Sequence, residues 1–142
     1  MHVLLSIKPV YADRILQGTK RYEYRKALFS APNVRRVFLY ASSPVQRIVG
    51  EIEIEAVETG TPDEVWSRTG AHGGVTRELF FEYFSGREVA YALKVKSQIL
   101  YETPIDPHGA FASFRAPQSF RYLSDADLPR SLADRGLTAL AS

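Results

Sequence analysis

Two periodicities of hydrophobic and polar positions divide the chain into strands and helices. Val3, Leu4, Leu5 and Ile7 form a short apolar run that predicts a buried strand over 2–7, and Lys8-Pro9 then opens a helix with proline in its first turn. Val10, Ala12, Ile15 and Leu16 give that helix an apolar face as far as Gln17, where Gly18 is suited to the left-handed residue that stops it. Tyr22–Arg25 reads as a strand, and 27–33 as a loop. In the next strand, over 34–41, Val37, Leu39 and Ala41 fall on one side and Phe38 and Tyr40 on the other, the pattern of a central strand covered on both faces. After the Ser42-Ser43-Pro44 break, residues 47–57 give the cleanest alternation in the chain. Ile48, Gly50, Ile52, Ile54 and Ala56 are expected in the core, and Val49, Glu51, Glu53 and Glu55 in water.

Thr61-Pro62-Asp63-Glu64 is a capping box with proline at the first helical position, so a short helix carrying Val65 and Trp66 begins there, with Trp66 expected as a core plug. Residues 71–74 form a flexible connection containing His72. Thr76 caps a further helix whose Leu79, Phe80, Tyr83 and Phe84 are read as one core stripe ended by Gly86. Val89, Tyr91, Leu93 and Val95 alternate in another strand, continued or bent over 99–103. Pro104, Pro107 and Gly109 open an irregular segment that ends in the interleaved polar and aromatic stretch 116–123. Beyond Ser124 a weak helical pattern (Leu128, Leu132, Leu137) predicts a tail that packs or frays. Short amphipathic strands with a few helices between them predict an α+β domain built on a small, mostly antiparallel β-barrel.

Composition narrows the chemistry. A chain of 142 residues fits one domain, since domains typically take about 100 to 200 residues. There is no cysteine, which excludes disulfides, thiolate metal sites and cysteine nucleophiles, and the three histidines, His2, His72 and His108, lack metal-ligand spacing. No metal or cofactor is expected. No apolar run approaches a membrane span and no signal-peptide pattern opens the chain, so a soluble, cytoplasmic protein without membrane contact is expected. The net charge is only +2, yet its distribution is uneven. Seven basic residues and the single acid Glu23 lie between Lys20 and Arg47, and Glu51, Glu53, Glu55, Glu58, Asp63 and Glu64 follow at once. That pattern argues for a local basic patch and against blanket binding of nucleic acid. No glycine-rich phosphate loop follows any strand.

The densest chemistry lies in Gly18-Thr19-Lys20-Arg21-Tyr22-Glu23-Tyr24-Arg25. On a strand, Glu23 and Arg25 project together, Tyr22 and Tyr24 project the other way, and Lys20 at the preceding turn can join the charged pair. A converging lysine, glutamate and arginine can hold an anion or a nucleotide, support proton transfer, or simply brace the mouth of the barrel. Lys20 also sits beside a helix C-terminus, where its charge is favourable without any function.

Three stretches resemble the ASCH domain of the PUA-like superfamily, in its short bacterial and phage-type members. They are Leu4-Leu5-Ser6-Ile7-Lys8-Pro9 with Gly18-x-Lys20-x-x-Glu23-x-Arg25, then Tyr40-Ala41-Ser42-Ser43-Pro44 with Ile48-Val49-Gly50-Glu51, then 116–123. The resemblance spans about residues 3–123, so it implies a domain over 1–123 and a separate tail over 124–142. It implies a PUA-like barrel with flanking helices and a cleft at one end lined by the signature residues, and a role in binding RNA or a modified nucleotide, with DNA an alternative and protein partners unassigned. Lys20, Arg25 and Arg47 would then meet phosphate, Glu23 a base edge, and Gln118 and Ser119 would close the cleft. Lys8 and Ser42 join them as contacts, Tyr24 and Phe120 as stacking surfaces, with Tyr122 a further aromatic candidate.

Some members of the family are hydrolases, either amidohydrolases of acylated cytidine or ribonucleases. In the amidohydrolases a threonine stands where this chain has Glu23, and a second acid falls in the region 67–76, where this chain offers only His72. The alternative reading is therefore a metal-independent hydrolase in which Lys20 and Glu23 form the acid–base pair.

Overall fold

The computed structural model describes residues 1–30, 33–111 and 113–128. Its six strands are β1 (His2–Ile7), β2 (Tyr22–Arg25), β3 (Arg36–Ala41), β4 (Arg47–Gly60), β5 (Ala90–Ile105) and β6 (Phe120–Leu123). Four helices accompany them: α1 (Pro9–Leu16), α2 (Pro62–Thr69), α3 (Arg77–Tyr83) and the single turn α4 (Pro107–Ala110). The strands form one sheet in the order β2-β5-β4-β3-β1-β6, antiparallel throughout except for the parallel β1–β3 pair. The fold is α+β, a curled half-barrel of the PUA-like type. The single strand read over 89–95 and its extension are one bent strand of 16 residues, paired along most of β4.

The curl brings the two edges of the sheet together. Arg25, the last residue of edge strand β2, donates to the Ser6 carbonyl on β1 at 3.3 Å and to the Ser119 hydroxyl beside edge strand β6 at 2.7 Å. Ser6 is tied to the same edge, since its amide donates to the Ser119 carbonyl at 2.9 Å and its hydroxyl to the Pro117 carbonyl at 2.6 Å.

Central strand β3 behaves as its composition requires. Val37, Leu39 and Ala41 pack with Ala12, Ile15 and Leu16 of α1 in one core, while Phe38 and Tyr40 pack with Ile48, Tyr101, Phe111 and Phe114 in a second core on the opposite face. A third cluster joins Val65 of α2 and Phe80 and Phe84 beside α3 to Tyr24, Ala90 and Ala92. Thr61 caps α2 with the reciprocal capping box and Thr76 caps α3.

Three expectations are corrected. The alternation of β4 does not persist, because register shifts at Ile48/Gly50, Glu53/Ile54 and Ile54/Ala56 rephase the strand. Ala56 is exposed, and Glu51 is buried, accepting from the Tyr101 hydroxyl at 3.0 Å with Arg36 Nε 3.0 Å away. Gly50 is demanded by packing, since a Cβ there would meet the Ile99 carbonyl and the Leu16 methyls. Secondly, the α3 stripe is split: Phe80 and Phe84 are buried, whereas Leu79 and Tyr83 are 48% and 38% exposed. Thirdly, Trp66 is half-buried at the margin of the third cluster, against Phe80 and Phe81. Of the tail, Asp125–Asp127 forms a 3-10 turn and Leu128 packs on the second core. Leu132 and Leu137 lie outside the described residues.

Candidate functional site

A cleft of about 780 Å³ is lined by residues of β1, β2, β3 and α3. Its floor is the charged strand. Lys20 is 1% exposed and its Nζ donates to the Gly73 carbonyl at 2.5 Å. The same ammonium lies 3.7 Å from Glu23 Oε1, 4.7 Å from the centre of the Tyr24 ring and 5.4 Å from that of Tyr11. Glu23 is buried too, and its other oxygen is 3.2 Å from Arg25 Nη1. The result is a continuous Lys–Glu–Arg array running from the glycine loop to the β6 edge.

Local sequence explains this placement. Gly18, at φ +87°, ends α1 and turns the chain so that Lys20 enters beneath the 70–74 segment. There Gly73 and Gly74 press on the signature residues: a Cβ on Gly73 would strike the Tyr24 hydroxyl and one on Gly74 the Lys20 stem, and Gly74 is also at φ +67°. Arg14 of α1 donates to the Gly74 carbonyl at 2.7 Å and clamps the loop from outside. The segment expected to be a flexible connection is therefore a packed cap. The Lys20 amide donates to the Arg14 carbonyl in the last turn of α1, so the residue sits beside the helix end, while its ammonium is bound to Gly73.

The electrostatics follow from burial. Desolvation holds the Lys20 pKa below the usual lysine value and the nearby Arg14 adds to this, while Glu23 opposes both. Burial pushes the phenols of Tyr24 and Tyr83 upward. Thr69 donates its hydroxyl proton to the Val65 carbonyl at 2.7 Å, so Tyr24 is the donor in its 2.8 Å bond to Thr69.

Of the residues singled out in the sequence, Lys8, Lys20, Glu23, Tyr24, Arg25, Ser42 and Gln118 line the cleft, and Ser119 backs it through Arg25. Arg47 and Phe120 do not line it. Arg47 donates to the Gln46 carbonyl and faces Asp106 at 4.0 Å, and Phe120 packs in the core between Phe29 and Tyr122. Tyr122 accepts the Ser30 amide. His72 is exposed and contributes its carbonyl to the Arg21 amide. Tyr24 does not simply oppose Glu23, since its ring also covers Lys20. The sequence reading missed Tyr11, Tyr40, Leu79, Glu82 and Tyr83, which complete the walls.

The profile of the ASCH domain family matches residues 5–100. The chain belongs to the ASCH domain family. Among its ASCH relatives is the "ASCH domain-containing ribonuclease" of Zymomonas mobilis, 29% identical over 126 residues that cover 84% of this chain and 82% of that protein. The crystal structure of ASCH from Zymomonas mobilis superposes with a TM-score of 0.81 at 25% identity, covering 96% of this chain and 94% of the other. A 30% identical stretch also occurs in the large ribosomal subunit protein uL22 of Ureaplasma parvum, where 85% of this chain matches only 39% of the longer protein. No described helix of this ASCH protein is long and apolar enough to cross a membrane.

Proposed function

We propose that the cleft binds single-stranded RNA by taking up an unstacked nucleotide. The observation that carries this reading is the combination of a buried, charged floor with apolar side chains left exposed around it. Leu79 and Tyr83 stay 48% and 38% exposed while the neighbouring aromatics Phe80 and Phe84 are buried, and they line the cleft together with Tyr11, Tyr40 and the Lys20–Glu23–Arg25 array. Single-stranded RNA recognition needs such surfaces for stacking and polar groups for base edges. A volume of about 780 Å³ also falls within the usual size of ligand clefts.

The floor positions more than it reaches. Lys20 is enclosed by Gly73, Glu23 and two tyrosine rings, so in this reading it sets the charge and orientation of Glu23. Glu23 and Arg25 are the floor groups that meet the ligand. Gln118 and Ser42, from the facing wall, supply adaptable hydrogen bonds to a base.

A second reading, cleavage, is favoured by the name of the Zymomonas relative and by the lowered Lys20 pKa. In it, Glu23 takes the proton of the attacking hydroxyl or water as the new P–O bond forms, and the Lys20 ammonium gives a proton to the leaving oxygen as the old P–O bond breaks.

Amide chemical-shift mapping with a short single-stranded RNA tests both. Shifts concentrated at Tyr11, Glu23, Leu79, Tyr83 and Gln118, with the RNA intact, are expected for binding. Shifts confined to other surfaces would overturn the cleft as the site. RNA fragments that appear with the native protein and vanish with Glu23→Gln would establish cleavage.

A further inference from the structure

The five lysines of the chain are not spread evenly over its surface chemistry. Lys20 is buried in the cleft floor, and Lys94 and Lys96 pair with Glu55 and Glu53 at 2.8 and 3.7 Å. That leaves Lys8 and Lys26. Both are exposed and neither is in an ion pair among the described residues. Lys8 lies on the wall formed by the end of β1. Lys26 is not itself a lining residue, but its Nζ lies 4.6 Å from the centre of the ring of Tyr83, which is one. Lys26 and Tyr83 thus form one unit in which an aromatic cleft wall and a cation are held together.

We infer that the cleft takes an internal stretch of a single strand rather than a free nucleoside or nucleotide, with one phosphate held by Lys26 beside Tyr83 and another by the cleft-lining Lys8. The inference rests on the RNA reading above and specifies its substrate class. A nucleoside would use the floor and the stacking walls and leave both lysines idle. A base stacked at Tyr83 within a strand places its own phosphate beside Lys26, and the chain leaving the cleft passes Lys8. The balance of charge agrees. Lys8, Lys20, Arg25 and Lys26 outweigh Glu23 and the exposed rim carboxylate Glu82, and an exposed cation without a carboxylate partner costs nothing to desolvate from that partner when a phosphate arrives.

The test is binding of uridine 5′-monophosphate and of oligouridylates of increasing length, each titrated at several salt concentrations. Affinity is expected to rise at least about tenfold from the mononucleotide to the tetramer, because each phosphate neutralised on a single strand adds about 0.7 to the slope of log K against log salt. Lys8→Gln and Lys26→Gln are each expected to lower that slope by about 0.7, with Lys26→Arg restoring it and Lys94→Gln leaving it unchanged. An unchanged melting temperature in each variant shows that the fold is intact. Mononucleotide binding as tight as the octamer, with slopes indifferent to both lysines, would overturn the inference while leaving the RNA reading standing. If neither mononucleotide nor oligomer binds, both fall.

Discussion

The α-carbon of Gly73 lies so close to the Tyr24 hydroxyl that no side chain fits between them. This contact fixes the depth at which the Gly73 carbonyl meets the Lys20 ammonium. Gly73→Ala is therefore expected to push the loop off the signature strand, destabilising the protein by roughly 1–3 kcal/mol as overpacked sites do. Thermal unfolding measures the loss. Gly109→Ala, at a position where a Cβ meets nothing, is the matched control and should change little.

Stability should follow pH in two opposed steps. Burial lowers the Lys20 pKa in the folded protein, so the unfolded chain holds that proton to higher pH than the folded one does. The cost of burying the ammonium is fully present at low pH and is relieved as pH rises from the lowered folded value towards 10.5. Tyr24 and Tyr83 act the other way. Their folded pKa values lie above 10.0, so the unfolded chain ionises first and stability falls once pH passes 10.0. Urea unfolding from pH 7 to 11 is expected to show a rise and then a fall, and Lys20→Met to remove the rise alone.

Much of this was legible from residue pattern. Period-two alternation places Glu23 and Arg25 on one side of a strand, and Gly18 brings Lys20 to them. The two-sided burial of β3 likewise follows from its unbroken run of apolar residues. The wall formed by α3 was not legible, for a geometric reason. Successive helical residues are about 100° apart, so Leu79 and Tyr83 lie about 40° from each other, and Phe80 and Phe84 do likewise one residue further round. The four look like one stripe in the sequence, and only the docking angle of α3 decides that one pair enters the core and the other borders the cleft. Glu51 escaped for a related reason: its burial depends on Arg36 and on Tyr101, fifty positions away, supplying its partners.

Glu23 and Arg25 should prove energetically coupled. Arg25→Met leaves Glu23 with Lys20 as its one charged partner and removes the bonds to Ser6 and Ser119, and Glu23→Gln leaves two cations without their shared carboxylate, so each is expected to cost about 3 kcal/mol. The double variant should cost less than the sum, by about 1 kcal/mol or more. Urea midpoints of the four proteins close the cycle, and strictly additive costs would show that the 3.2 Å contact carries no energy.

Leu79→Ser separates recognition from folding. Its side chain is about half exposed, so the melting temperature should hold within a degree or two. RNA affinity should fall by roughly three- to tenfold, the scale of exposing about one aliphatic side chain's contact with a base to water. Fluorescence anisotropy with a labelled single strand reads the change, and equal loss of stability and affinity would return Leu79 to a structural role.

The bridge made by Arg25 also bears on the edges of the sheet. An open sheet presents unpaired amides and carbonyls at both edges, and those edges can recruit strands from neighbouring molecules. Here the edge strands β2 and β6 are only four residues long, and the Arg25 guanidinium ties one to the other. A residue in the floor of the cleft thus also joins the two edges of the sheet, so that the geometry of the site and the closure of the curl rest on one guanidinium.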